Sequence, residues 1–203
     1  MDELMIELPK TKQSVWDNYV PIVTSGRHTD VYLTDHIDTP SQYNQLCHKL
    51  RNAYKEDTFT LFINNGGGIV DSAFMITDAM SQSKAKIHGA LSGTVASAST
   101  VVTMACDTIE IAPHTQFMIH NYFHSTQGTG NQVKEYVNFT DREFVKTTKK
   151  VYGGFITPSE MSQVSGDDKE LWMGAEEVLA RWDARKKGDA KALEAIAESR
   201  KAK

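Results

Sequence analysis

The sequence predicts an α/β fold built on a largely parallel sheet. Strand-like and helix-like segments alternate between residues 31 and 120, the order that parallel strands with crossover helices produce. Glycine-rich or small-residue turns follow the strand-like runs, and a hydrophobic share of 40% over 203 residues is enough for one sizeable core.

Residues 1–26 read as an arm, with apolar-rich stretches at 5–8 and 19–23. Val31-Tyr32-Leu33-Thr34 is β-branched and aromatic, as strands are. Thr39-Pro40-Ser41-Gln42 opens a helix, with Thr39 as N-cap, Pro40 at the first position, and Leu46 and Leu50 as its apolar pair. Thr58-Phe59-Thr60-Leu61-Phe62-Ile63 is a second strand, ending at Asn64-Asn65-Gly66-Gly67-Gly68, and residues 69–80 return to helical spacing. A strand over 85–91, a turn at Gly93-Thr94 and a buried small-residue helix over 95–106 come next. Strands at 108–111 and 116–120 are split by a turn at Pro113. Residues 131–152 are a long amphipathic helix with Val133, Val137, Phe144 and Val151 on one face. Thr157-Pro158-Ser159-Glu160 is a capping box. A helix over about 175–182 precedes a Lys-, Glu- and Ala-rich tail that reads as a solvated or frayed helix. The expected organisation is an arm over 1–26, a domain over 27–184 and a charged tail over 185–203.

The formal net charge of −4 supplies no basic field for nucleic acid or an anionic membrane. No run approaches the roughly 18 apolar residues of a membrane span. The residues at the start of the sequence lack the basic and apolar regions of a secretion signal, so a cytoplasmic protein is expected. Cys47 and Cys106 are expected to be free thiols, and the seven histidines show no metal-ligand spacing. Neither cofactor nor metal is expected.

Three features can carry acyl-transfer chemistry, which needs a nucleophile, a base and fixed donors for an oxyanion. The first is Asn64-Asn65-Gly66-Gly67-Gly68 between strand and helix; its glycines allow close backbone approach, although a plain tight turn has the same composition. The second is Gly93-Thr94-Val95-Ala96-Ser97-Ala98-Ser99. Its Ser97 stands at the start of a buried helix whose dipole favours negative charge, and a packing or capping serine would look alike. Ser99 competes with Ser97 if the register slips. The third is His120, at the end of a buried strand, where a satisfied core histidine is the plainer reading. His114 and His124 sit in turn-like settings and are weaker candidates for a base.

Taken in order, these residues resemble the Clp protease proteolytic subunit family. The family's Asn-Ser-Pro-Gly-Gly is similar to Asn64 through Gly68. Its Gly-x-Ala-Ala-Ser-Met is similar to Gly93 through Ala98, and its Met-Ile-His to Met118-Ile119-His120. A strand ending Leu-Thr is similar to Tyr32-Leu33-Thr34, with Arg27 two residues early, and Asp-x-Phe/Trp-x-x-Ala-x-Glu is similar to Glu170 through Glu177. The likeness runs over about residues 27–183. It implies a crotonase-like spiral of strand–strand–helix units with a projecting helical handle over about 128–153. It also implies a serine endopeptidase. Ser97 would be its nucleophile, His120 its base, and Gly67 and Ala98 the oxyanion donors. Glu170 would be the acid, with Asp168 or Asp167 as alternatives. Its substrates would be unfolded or partner-delivered polypeptides, and its partners further copies of itself in stacked, heptameric rings and an AAA+ unfoldase.

The family's proline is Gly66 here, and its Gly-Leu-Val-Asp survives only as Asp183. These departures suggest a divergent member, a phage-encoded one included. Two other classes stay open at this point: a crotonase-type acyl-CoA enzyme that uses backbone amides alone, and a catalytically inactive ring subunit. A Ser–Lys peptidase would need Lys84 or Lys86 at the site, and no motif places them there.

Overall fold

The computed structural model describes residues 20–201; the apolar stretch at 5–8 and most of the predicted arm lie outside the described residues. β1 (Ile22–Ser25) pairs antiparallel with β2 (His28–Leu33); β2, β3 (Thr58–Asn65) and β4 (Lys86–Ala96) then run parallel. Leu33, Ile63 and Leu91 stand abreast across the three strands, all buried. Their neighbours alternate in exposure, as the two-residue period of a strand requires. Pro40 opens a short 3-10 turn, Pro40–Tyr43, that leads into α1 (Asn44–Arg51); Thr39 makes no side-chain capping bond there. α1 and α2 (Val70–Gln82) bring Leu46, Leu50, Ile76 and Ala79 into the same core as the sheet.

β4 is longer than expected, and the predicted turn at Gly93-Thr94 is strand instead. Leu91 pairs with Ile63 but Val95 pairs with Asn65, so β4 gains two residues on β3 in a bulge. Gly93 takes the positive φ of 61° that this bulge requires. A Cβ there would lie 2.5 Å from Asn64 Oδ1, which accepts the Thr94 N–H at 3.1 Å. The glycine serves a bulge that continues the strand, and sequence alone reads it as a stop.

The first half of β4 pairs with β5 (Thr108–Ile111) and its second half with β6 (Gln116–Ile119). Between β4 and β5 lies α3 (Ala98–Met104), every residue of which is buried. β6 also takes β7 (Leu171–Gly174) antiparallel, a strand the sequence reading lacks. α4 (Gly130–Tyr152) is the predicted long helix, closed at its start by a capping box between Thr129 and Gln132. α5 (Pro158–Gly166) begins with the predicted box of Thr157 and Glu160. α6 (Ala175–Lys187) runs past Trp182, and the charged tail forms α7 (Ala190–Lys201). That tail is docked: Leu193 and Ala197, four residues apart, are buried, and Arg200 Nη1 bonds both Glu177 carboxylate oxygens and Trp172 O.

The Arg181 side chain, 0% exposed, joins α5 to α6. It donates to both Glu160 oxygens at 2.7 and 2.9 Å, to Glu177 Oε1 at 2.8 Å and to Phe155 O at 3.2 Å. Cys47 and Cys106 are free and buried, and burial pushes the Cys106 thiol up to about 12. No helix among the described residues is long and apolar enough to cross a membrane.

Candidate active site

β4 ends at Ala96 and α3 begins at Ala98, so Ser97 alone makes the turn between them. It does so at φ 56°, ψ −125°, a region that side chains disfavour. Its N–H donates to Met118 O at 2.9 Å, continuing the pairing of β4 with β6. That bond fixes Ser97 beside the end of β6, two residues short of His120. The Ser97 Oγ and His120 Nε2 lie 2.6 Å apart, so the two residues singled out from the sequence meet within hydrogen-bond distance.

Ser99 is fully buried and its hydroxyl donates to Asn65 Oδ1, which removes it as a competitor. His114 is exposed and His124 stacks on Tyr122 at 5.1 Å; neither pairs with a serine. No three His, Cys, Asp or Glu side chains among the described residues are grouped as a metal site.

The Asn–Gly segment folds across the front of Ser97. Ile37 N–H donates to Gly67 O and Ile69 N–H to Ile37 O, at 2.9 and 2.7 Å. Gly67 has φ +98°, and a Cβ on it would lie 2.6 Å from Ser97 Cβ and 2.9 Å from Ala98 N. The expected role of Gly67 as an oxyanion donor needs correcting: its N–H already donates to Asn65 Oδ1 at 2.9 Å. A donor spent on a neighbouring carboxamide cannot also serve an oxyanion. The Gly68 amide, in the wall of the same cleft, makes no such bond, and the Ala98 N–H is one of the unpaired amides at the start of α3. Asn65 is the residue that sequence reasoning left without a role. It binds Gly67 N–H and Ser99 Oγ through its oxygen and Leu33 O through its Nδ2 at 2.7 Å. Its only signal was its place ahead of the glycines.

Replacing Gly67 by alanine is expected to lower stability by roughly 1–3 kcal/mol, read by thermal melts. The new methyl would meet Ser97 Cβ and the Ala96 carbonyl oxygen, neither of which can rotate away.

The three predicted acids fall in different places. β6 and β7 pair Ile119 with Leu171 and Met118 with Trp172. Continuing that register by one residue sets Glu170 across from His120, on the face of Met118 rather than the core face. The Glu170 carboxylate accepts the Trp172 indole N–H at 2.8 Å and does not bond to His120. Asp168, at φ 52°, accepts from Asn121 Nδ2 through Oδ1 at 2.6 Å, beside the residue that follows His120, and does not bond to His120. Asp167 is the C-cap of α5. Among the described residues no carboxylate forms an ion pair or hydrogen bond with His120. The expectation of a closed triad is therefore not met in this conformation.

A cleft of about 570 Å³ opens beside Ser97 and His120. Its far wall is apolar: Ile69, Phe74, Val101, Phe144 and Val151 line it. It lies between α2, α3 and α4, and its size fits an apolar side chain with flanking backbone. Past His120, Tyr122 fastens the outgoing segment to α4. Its hydroxyl donates to Asp141 Oδ1 and its ring packs on Phe144 at 4.7 Å. Burial and the neighbouring Asp141 push the Tyr122 phenol up to about 12.

A serine hydroxyl on an imidazole nitrogen, at a strand-to-helix turn facing an apolar cleft, is the arrangement that nucleophile–base chemistry of the acyl-transfer type requires. The chain belongs to the Clp protease family: that family's sequence model matches residues 14–181. Among the described residues, the seven-stranded sheet and seven α-helices agree with an α/β Clp protease fold. The chain is 29% identical over 133 residues to the ATP-dependent Clp protease proteolytic subunit 3 of Rhizobium meliloti, a match covering 63% of this chain and 66% of the relative. It is 30% identical over 129 residues to subunit 2 of Pseudomonas aeruginosa, covering 61% and 62%. A third relative is the ATP-dependent Clp protease proteolytic subunit of Streptococcus suis, 29% identical over 125 residues and covering 59% and 63%. Each match spans just under two thirds of the relative's length.

Proposed function

We propose that this chain is a serine endopeptidase. The observation that carries the reading is the 2.6 Å approach of Ser97 Oγ to His120 Nε2 across two separate elements. His120 removes the hydroxyl proton as Ser97 Oγ bonds to the scissile carbonyl carbon. The same imidazole then gives that proton to the leaving amine as the carbon–nitrogen bond breaks. Water, deprotonated by His120, releases the acyl group and restores the serine. The amides of Gly68 and Ala98 receive the oxyanion, in place of the Gly67–Ala98 pair that the sequence suggested. Glu170, opposite His120 in the sheet register, is the acid, with Asp168 the alternative. The apolar cleft favours polypeptides that present an apolar side chain before the cleaved bond.

Such a site inside a closed chamber acts on unfolded chains, so stacked rings of this subunit and delivery by an AAA+ unfoldase belong to the same proposal. The exposed aromatics Phe123, Tyr136 and Phe139, on α4 and the segment leading to it, suit the contact between rings. The relatives' designation as ATP-dependent supports the unfoldase partner.

A fluorophosphonate probe tests the reading directly. The wild type should be labelled on Ser97 and should cleave casein or a short peptide, and Ser97→Ala should do neither. An acyl-CoA enzyme of the crotonase type, which needs no serine, would leave the probe unreacted in both. Negative-stain images of the same preparation should show rings enclosing a chamber.

A further inference from the structure

We infer that Trp172 is the positioning residue of the catalytic acid. Its indole would hold one oxygen of Glu170 so that the other can meet His120 Nδ1. The inference rests on the peptidase reading above and on Glu170 as its acid. Trp172 and Glu170 are two residues apart; extending the strand alternation one residue before β7 puts them on one face, the face that carries Met118 and, one residue past β6, His120. The indole Nε1–H donates to Glu170 Oε2 at 2.8 Å, and Oε1 makes no hydrogen bond among the described residues. The Trp172 backbone is fixed from the far side, because its carbonyl accepts Arg200 Nη1 at 2.7 Å from α7.

A glutamate has one more rotatable bond than an aspartate. Left free at a surface, that arm would spend most of its time away from the imidazole, at an entropic cost each time it closed. A bond to one carboxylate oxygen removes most of that freedom and leaves the other oxygen with both lone pairs. Rotation of the Glu170 side chain with Oε2 kept on the indole is then the movement that joins the acid to His120.

The test is a double-mutant cycle on the full-length chain, read by peptide cleavage with kcat and KM separated and by the rate of fluorophosphonate labelling. Glu170→Gln keeps an acceptor for the indole but turns the imidazole to the wrong tautomer. It should lower kcat about a thousandfold with little change in KM. Trp172→Phe keeps the ring and removes only the N–H. It should lower kcat about tenfold in the wild-type background and less than twofold on top of Glu170→Gln. Equal losses in both backgrounds would mean that Trp172 acts on packing and not through Glu170, and would overturn the inference. Full activity of Trp172→Phe, or a thousandfold loss from Asp168→Asn with Glu170→Gln near normal, would overturn it as well. Labelling of Ser97 without the coupling sinks this inference alone, whereas a wild type that the probe does not label sinks the peptidase reading and this one with it.

Discussion

His120→Ala is expected to lower kcat/KM for peptide cleavage by about 10⁴-fold or more, and adding Ser97→Ala should cost almost nothing further. On the proposed peptidase reading the two side chains act as one unit through their 2.6 Å contact. A nucleophile without its base, or a base without its nucleophile, is left with the same residual catalysis from bound amides. Strict multiplicative losses would show that the residues contribute separately and would remove the dyad. The fold should hardly notice: β6 is anchored by Phe117 and Ile119, both fully buried, and His120 lies beyond its end. A thermal melt should therefore shift by about 1 kcal/mol or less.

The largest effect on stability is expected at Arg181. Removing its side chain leaves Glu160 buried without its partner, at about 3–5 kcal/mol. Arg181→Met combined with Glu160→Gln should recover much of the loss that Arg181→Met causes alone, because the uncompensated charge is then gone; chemical denaturation of the wild type and the two variants would measure it. The same pair sets an acid limit. Burial by itself would raise the Glu160 carboxyl, but the Arg181 bonds and the Thr157 N–H outweigh it and hold the group below the ordinary carboxylate range. A depressed folded-state value means that the contribution is complete above about pH 4.5 and is lost as pH falls through the folded-state value. Wild-type stability should decline below about pH 4.5, and the Arg181→Met, Glu160→Gln variant should show a shallower decline.

Glu160 also shows what the sequence could and could not say. Its place in the capping box was legible, because Thr157-Pro158-Ser159-Glu160 is a local pattern with a local cause. Its bond to Arg181, 21 residues on, has no local cause and left no trace in the sequence. The central strands and α4 were legible for the same reason as the box: their burial follows a period of two or of about three and a half. β1 and β7 were not: β1 is mostly exposed and shows no alternation, and β7 runs straight into α6 at Ala175. Gly93 misled because one residue type serves both turns and bulges. At the site, Ser97 and His120 each read more plainly as packing residues when taken alone, and it was the family resemblance that paired them. The loss of the Gly67 amide was hidden, because it depends on which way the Asn65 carboxamide points. The docked tail was within reach: Leu193 and Ala197 form an apolar pair at helical spacing that the surrounding charge obscured.

The dihedral angles at residue 97 set what the polypeptide needs for folding against what it needs for chemistry. A glycine there would relieve the turn, and a serine takes it only at a cost in backbone strain. On the peptidase reading, Ser97→Gly should therefore give an inactive but sturdier shell with the same outline. A copy of this chain that still carries the hydroxyl has held on to the more awkward residue.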